Sequence, residues 1–366
     1  MPELQAMEEI KRTAVHLFFQ GLAESREAVY QKIIPIARKV RDCYADAGAL
    51  AGITDDEFAT MMLVDGCFLV QFIYAAITIT IDTREETASL LRSIIHPHFR
   101  GIMRDIMLLE NQIPWPVIEF LMSLRHLPMG KFIGIMASRL HGGVSKETFG
   151  VDIDESYKPS HLLCFIRFYT AGRGRVVRGA PRYSGDTLSF STSAAELAEM
   201  GIKLKASKTA HFSDMNMVKG PFFAKLSLPP LHLDIINACW LVNMAAFEMC
   251  TEAYWADECF VNSYLRVLSQ LMNRKDDVRE LRVKRIVGGS SDKQTLELFV
   301  GLAPNLSEGL AYFRIIIGLE NYKHKRRVWI SIYRFLYNNA KTIATVLSAI
   351  GVLVGIFRAL YSLKEH

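Results

Sequence analysis

The chain has 366 residues, half of them hydrophobic, which allows one large or two ordinary domains and excludes a disordered polymer. Its net charge of +5 is unevenly placed: residues 321–366 hold eight Lys/Arg and one Glu, a net of +7, which leaves −2 (5 − 7) for residues 1–320. A near-neutral body excludes a globally basic nucleic-acid-binding domain, so no nucleic-acid partner is expected.

The first residues lack a basic stretch followed by an apolar run, so no secretory signal is expected and the body is placed in the reducing cytosol. Cys43, Cys67, Cys164, Cys239, Cys250 and Cys259 form no C-x-x-C pair and read as small core residues.

Leu4, Met7, Ile10, Ala14, Leu17 and Phe18 recur at helical spacing, predicting helix within 4–47, kinked or divided at Pro35. Thr54 before Asp55, Asp56 and Glu57 predicts an N-cap with an acidic first turn. Residues 58–81 are then apolar on every side. Sixteen of them, 66–81, carry no charge, so this segment competes as a membrane span. Gln71 inside it, Asp65 at its border and the acidic flank of Asp82, Glu85 and Glu86 favour a buried core helix.

Residues 102–109 predict another apolar helix, stopped by Ile113-Pro114-Trp115-Pro116. Glu110, Asn111 and Gln112 lie at this corner. Such groups could satisfy the last carbonyls of one helix and the first amides of the next. A structural hinge is the expected role, with Asp65 and Gly66 as its partner region. Helices over 117–126, 129–141 and 162–169 follow. Residues 171–186, rich in Gly and Arg, read as a flexible exposed loop.

Ser193 and Glu196 fit a capping box, and Gly201 a helix stop. Residues 202–205 and 224–228 alternate with period two around a turn at Lys219-Gly220-Pro221. They predict a small antiparallel sheet over about 202–228, closed by Pro229-Pro230. Helices are predicted over 234–250, 256–272 and 276–287. Ser291 and Gln294 cap one more, over 292–302.

No catalytic constellation is legible. His96-Pro97-His98 lacks further ligands at metal spacing. His211, Ser213 and Asp214 are close in sequence, but a triad requires convergence and an oxyanion hole. Nucleophile-elbow, Walker and dinucleotide glycine motifs are absent. No catalytic, cofactor-binding or metal-binding residue is expected.

The C-terminal stretch is the strongest signal. A basic block of Lys323, Lys325, Arg326 and Arg327 precedes sixteen uncharged residues, 342–357. These reach about 24 Å as a helix, and continuation past Arg358 to residue 363 completes a span of the hydrocarbon core. Basic residues ahead of the span predict a cytosolic body. Gly351, Gly355 and Ala359 form a small-residue stripe that admits a homodimer within the bilayer. The rival reading is a last amphipathic helix docked on the body or lying in the interface, for which residues 329–337 are suited.

Five segments resemble the plant family called domain of unknown function 247: 62–68 (MLVDGCF), 104–114 (RDIMLLENQIP), 193–205 (SAAELAEMGIKLK), 243–250 (NMAAFEMC) and 276–287. Asp65, Gly66, Glu110, Asn111, Gln112 and Pro114 stand in its motifs. The resemblance implies a largely helical plant protein with one C-terminal span and no established enzyme activity. Some grass members are associated with self-incompatibility. The longer N-terminal region usual in the family is not present ahead of these motifs, and Trp115-Pro116 replaces its aromatic pair.

The expected architecture is therefore mainly α: a helical bundle-like body over 1–320 with a small antiparallel sheet, a basic juxtamembrane segment over 321–341 and a transmembrane helix over 342–363. The expected function is a non-enzymatic, membrane-tethered recognition or scaffold protein that binds another protein. The alternatives are an unrecognised hydrolase or transferase using Glu110, His96 or His211, and a soluble nuclear regulator.

Overall fold

The computed structural model describes residues 2–44, 50–81, 86–143, 151–172, 192–251 and 259–364. Three helices open the chain: α1 (Pro2–Phe19), α2 (Arg26–Val40) and α3 (Asp55–Ile81). The first break falls after α1 rather than at Pro35, which sits inside α2. Gly21 adopts φ +80, and the Ser25 hydroxyl accepts from the Ala28 amide, so a turn and a cap set the boundary. Pro35 removes only one ladder hydrogen bond from a helix whose other face is anchored by Val29, Ile33, Ala37 and Val40.

Helix α3 is the axis of the N-terminal half. It packs against α1, α2, α4 (Glu86–Ile95), α6 (Trp115–Leu124) and α7 (Met129–Leu140), with α5 (Phe99–Asp105) between α4 and α6. Thr54 and Glu57 cap its start reciprocally: Glu57 N donates to Thr54 Oγ1 at 3.2 Å, and Thr54 N to Glu57 Oε2 at 2.8 Å. Of its most apolar stretch, 78% is buried in the body, so α3 is a core helix. The predicted helix over 102–109 ends earlier, at Asp105. The chain then turns through residues 106–108 into a 3₁₀ turn at Leu109–Asn111.

The second half is built on α8 (Leu162–Ala171), α9 (Ala194–Glu199), α10 (Ile235–Cys250), α11 (Phe260–Leu271), α12 (Lys275–Val283), α13 (Asp292–Leu302) and α14 (Leu310–Lys325). Helix α10 packs on α5, α8 and α11, and its Trp240 indole N–H donates to Met103 O at 2.7 Å, joining the halves. Both predicted capping boxes form, at Ser193/Glu196 and Ser291/Gln294, and Gly201 follows α9 at φ +77.

The sheet departs from expectation. Strands β1 (Ile202–Ala206), β2 (Asn216–Lys219) and β3 (Ala224–Leu228) have the order β1-β3-β2. β3 pairs antiparallel with β2 but parallel with β1, with Leu204 opposite Leu226, so the sheet is mixed. The period-two pattern holds, with Ile202, Leu204, Ala224, Leu226 and Leu228 buried. A second pair joins β4 (Leu231–Leu233) to β5 (Val287–Gly289) in parallel. The predicted helix over 276–287 therefore stops at Val283, and Val287 belongs to a strand.

The expected boundary at 320/321 is not a break: α14 runs through it with Leu319 and Tyr322 buried. Two helices complete the chain, α15 (Arg327–Asn338) and α16 (Ala340–Lys364). The Gly/Arg loop expected over 171–186 lies outside the described residues from 173 onward.

Candidate functional site

The residues that carry the family resemblance come together as caps and ties between helix ends. Gln112 is the centre of the first cluster. Its Nε2 donates to Ile106 O at 2.9 Å and to Leu108 O at 2.6 Å, and its Oε1 accepts from Leu163 N at 2.9 Å. One side chain thus closes the carbonyls after α5 and an amide at the start of α8. The amide belongs to α8, not to the next helix in sequence.

His161 caps the same end of α8: its Nδ1 accepts from Cys164 N at 3.2 Å, so this nitrogen is unprotonated. Burial pushes the imidazole pKa down to about 4, which keeps the ring neutral and able to accept. Pro114 is buried and bridges to His161, and Trp115 N donates to Ser160 O at 2.8 Å. Asn111 Nδ2 donates to Asp105 O at 3.1 Å, and Asn243 Oδ1 accepts from Leu109 N at 2.8 Å. Glu110 is exposed.

Asp65 and Gly66 adjoin this corner from α3. Asp65 pairs with Lys11 at 2.9 Å. Gly66 faces α6, where a Cβ would approach Leu121 Cδ1 to 2.5 Å and Val117 Cγ1 to 3.3 Å, so its lack of a side chain sets the helix spacing. Tyr44 links the two regions: its hydroxyl donates to Gln112 O at 3.2 Å. Burial first, then the Asp65 charge, pushes its pKa up to about 12.

A second cluster centres on Glu248, which is fully buried. Its Oε1 accepts from Arg167 Nε at 3.0 Å, Arg167 Nη2 at 2.9 Å and Val261 N at 3.0 Å. Its Oε2 accepts from Asn262 N and Asn262 Nδ2, both at 2.9 Å. The carboxylate therefore caps α11, ties it to α8 and α10, and neutralises a buried guanidinium. Sequence reasoning missed this pair. The signal was a single charge in each of two otherwise apolar runs, LLCFIRFYTA and NACWLVNMAAFEMC. Asp277 repeats the device, accepting from Ala195 N at 3.1 Å, Asn273 N at 3.2 Å and Arg274 N at 2.9 Å. It joins the 193–205 and 276–287 segments.

The catalytic candidates do not converge into an active site. His96 and His98 form an exposed 3₁₀ turn. His211 and Asp214 are exposed while Ser213 is buried against Gly172. Among the described residues no three or more His, Cys, Asp or Glu side chains gather to hold a metal ion. Only Cys67 and Cys259 are fully buried; Cys43 and Cys250 are exposed, because they fall at helix ends rather than on inward faces.

The C-terminal helices carry the surface that the body does not absorb. α15 has two apolar faces. Trp329, Ile330 and Tyr333 turn inward, with Trp329 Nε1 donating to Phe222 O at 2.8 Å and Tyr333 meeting Phe223 edge-on. Val328, Ile332, Phe335 and Leu336 stay exposed, Val328 at 75%. α16 matches α3 in mean hydropathy, yet none of its apolar stretch is buried. A Cβ at Gly351 or Gly355 would meet nothing within 4 Å. The side chain of Ala359 lies outside the described residues.

The expected basic block divides. Arg326 is committed to the body, donating to Pro221 O at 2.5 Å and Gly220 O at 3.0 Å beneath the β2–β3 turn. Lys323, Lys325 and Arg327 are exposed.

Fold and site define a mainly helical protein whose polar motif residues knit helix ends and whose last helix is apolar and uncovered. The chain belongs to the DUF247 family, described as plant protein of unknown function, whose family model matches residues 1–354. It is similar to the UPF0481 protein At3g47200 of Arabidopsis thaliana, with 22% identity over 311 residues, covering 78% of this chain and 61% of that protein. The chain thus spans about three-fifths of that relative's length. No solved structure matches.

Proposed function

We propose that this is a non-enzymatic, membrane-tethered recognition or scaffold protein whose helical body binds another protein on the cytosolic side of a plasma or internal membrane. The observation that carries this reading is the contrast between α3 and α16: equal in mean hydropathy, one largely buried and the other wholly exposed. An apolar helix of 25 residues left in water exposes far more apolar surface than a soluble monomer tolerates, and it is long enough to cross a bilayer. Arg358 sits near its end, where a long side chain can snorkel to the headgroups. Lys323, Lys325, Arg327 and Lys341 precede it, which favours a cytosolic body.

The outward face of α15 supports a closer attachment. Val328, Ile332 and Phe335 recur at helical spacing and lead directly into α16. An amphipathic helix of this kind lies in the headgroup layer and holds the body against the membrane. The interfacial helix and the span are then consecutive parts of one anchor. Recognition of self, as in family members associated with self-incompatibility, is one setting that a tethered protein binder suits.

Alkaline carbonate extraction of the full-length protein tests the tether. Retention in the membrane pellet is expected, and release into the supernatant would sink the proposal. Alanine at Glu110, His96 and His211 in turn tests the enzyme alternative: a folded variant that lost function would favour catalysis.

A further inference from the structure

The alternation that buries Ile202, Leu204, Ala224 and Leu226 turns Lys203, Lys205 and Lys225 to the opposite face of the β1-β3-β2 sheet, where all three are exposed. The parallel register sets Lys203 directly opposite Lys225. Like charges so placed repel, at a cost to the sheet. Among the described residues, none of the three forms an ion pair with a carboxylate. Lys203 Nζ is instead held over the Phe223 ring, 4.4 Å from its centroid.

This lysine face is one side of a groove of about 360 Å³. The other walls are α12, which adds Lys284, and α15, which adds Tyr333 and Tyr337. That volume lies within the range of small-molecule sites. Two contacts fix α15 there: Tyr333 meets Phe223 edge-on with centroids 5.4 Å apart, and Arg334 pairs with Glu199 at 3.4 Å. Glu280 is the one acidic side chain among the lining residues, and it pairs with Lys284 at 3.4 Å. Four lysines against one glutamate leave a net +3 (4 − 1) in a concave site, where low-dielectric walls focus the field.

We propose that this groove binds an anion with several phosphates carried on one small ring, the chemistry of an inositol polyphosphate or of the lipid headgroup built on it. A single carboxylate or phosphate leaves most of the charge unmatched. The lysines enter from β1, β3 and α12, so phosphates on more than one side of a ring meet more of them than a linear chain does. Each ammonium acts as a point charge toward phosphate oxygens. The bound anion also offsets the Lys203–Lys225 repulsion, which makes a costly register part of the site. Tyr333 and Tyr337 stand on α15, the helix that leads into α16, so the lipid headgroup is the assigned source. That source rests on the membrane reading; the phosphate chemistry of the groove does not.

Full-length protein in detergent micelles, a form that serves whether or not the chain is tethered, is titrated calorimetrically with inositol 1,4,5-trisphosphate. Saturable binding is expected, about tenfold tighter or more than that of inositol 1-phosphate or of the linear triphosphate ATP. Lys225→Glu should weaken it by about tenfold or more. The same substitution sets opposite charges across the strands, so thermal stability should hold or rise. Lys39→Glu, at an exposed position on α2, makes the same change of charge outside the groove and should leave binding intact. Nanodiscs decide the source. Phosphatidylinositol 4,5-bisphosphate in the disc should occupy the groove and weaken binding of the free trisphosphate by about tenfold relative to phosphatidylcholine discs. Unchanged affinity overturns the lipid source, and carbonate extraction reads the tether separately. Absence of saturable binding in micelles, ATP bound as tightly, or equal losses in Lys225→Glu and Lys39→Glu overturns the phosphate site itself.

Discussion

Glu248 and Arg167 form an ion pair at 2.9 Å in which the carboxylate is fully buried and the guanidinium nearly so. The pair does not rest on Coulomb attraction alone. Glu248 also receives three N–H groups from Val261 and Asn262, so every lone pair it directs into the core has a donor. Removing one partner of such a pair leaves an uncompensated charge, the situation in which buried ion pairs matter most.

Glu248→Ala is expected to destabilise the body by about 3–5 kcal/mol, read by chemical denaturation. Glu248→Gln should recover little of this. In either flip its amide NH₂ faces N–H donors already aimed at that oxygen position. A glutamine variant as stable as the parent would show that the carboxylate charge is irrelevant.

The motif corner separates two neighbours of similar chemistry. Gln112→Ala loses three hydrogen bonds, two to the carbonyls that follow α5 and one to the start of α8, and should cost about 1–3 kcal/mol. Glu110→Ala removes an exposed side chain and should stay within about 0.5 kcal/mol. Thermal melts of the two variants side by side check this. Equal losses would mean that Glu110 has a structural role the geometry does not give it.

Stability should fall on mild acidification. His141 is held near pKa 4, against an ordinary value of 6.5, so between these values the unfolded chain binds the extra proton. Its contribution is fully present above pH 6.5 and is lost as pH falls toward 4, by about 3 kcal/mol in all. His161 adds a smaller loss of the same sign, being more open to solvent. Urea unfolding from pH 7 to pH 5 measures the slope. His141→Phe should flatten it, and an unchanged slope would assign the dependence elsewhere.

The two faces of α15 can be told apart in a bilayer. Spin labels on Val328→Cys and Phe335→Cys should become accessible to oxygen and protected from a water-soluble nickel chelate on reconstitution. A label on Lys293→Cys in α13 should remain open to nickel. Uniform nickel access would mean that α15 stands clear of the membrane.

The sequence was most readable where one turn of chain decides the outcome. The caps at Thr54, Ser193 and Ser291 need only residues three positions apart, and each forms. The burial of α3 was legible from Gln71 and its acidic flanks, because a membrane span and a core helix differ at their borders, not in apolar length. What stayed hidden depends on distant partners. Pro35 looked like a break because local propensity was read without the packing that holds α2 together. Residues 287–289 contain two glycines and give no strand signal until β4 lies beside them. Glu248 reads as a surface residue of a helix until Arg167, 81 positions away, is placed against it.

The parallel pairing of Leu231–Leu233 with Val287–Gly289 also orders events in time. β4 leaves the ribosome long before its partner, and the main-chain groups that will meet β5 stay unsatisfied while α10, α11 and α12 are made. Loop closure on this scale is slow compared with helix formation. The half-finished C-terminal half would then present an open strand edge beside apolar helices, a surface that invites aggregation or a chaperone. Closure of this pair comes only once Gly289 has emerged, and Phe299 of α13 and Tyr312, Ile315, Ile316 and Leu319 of α14 still have to follow before the core of this half is filled.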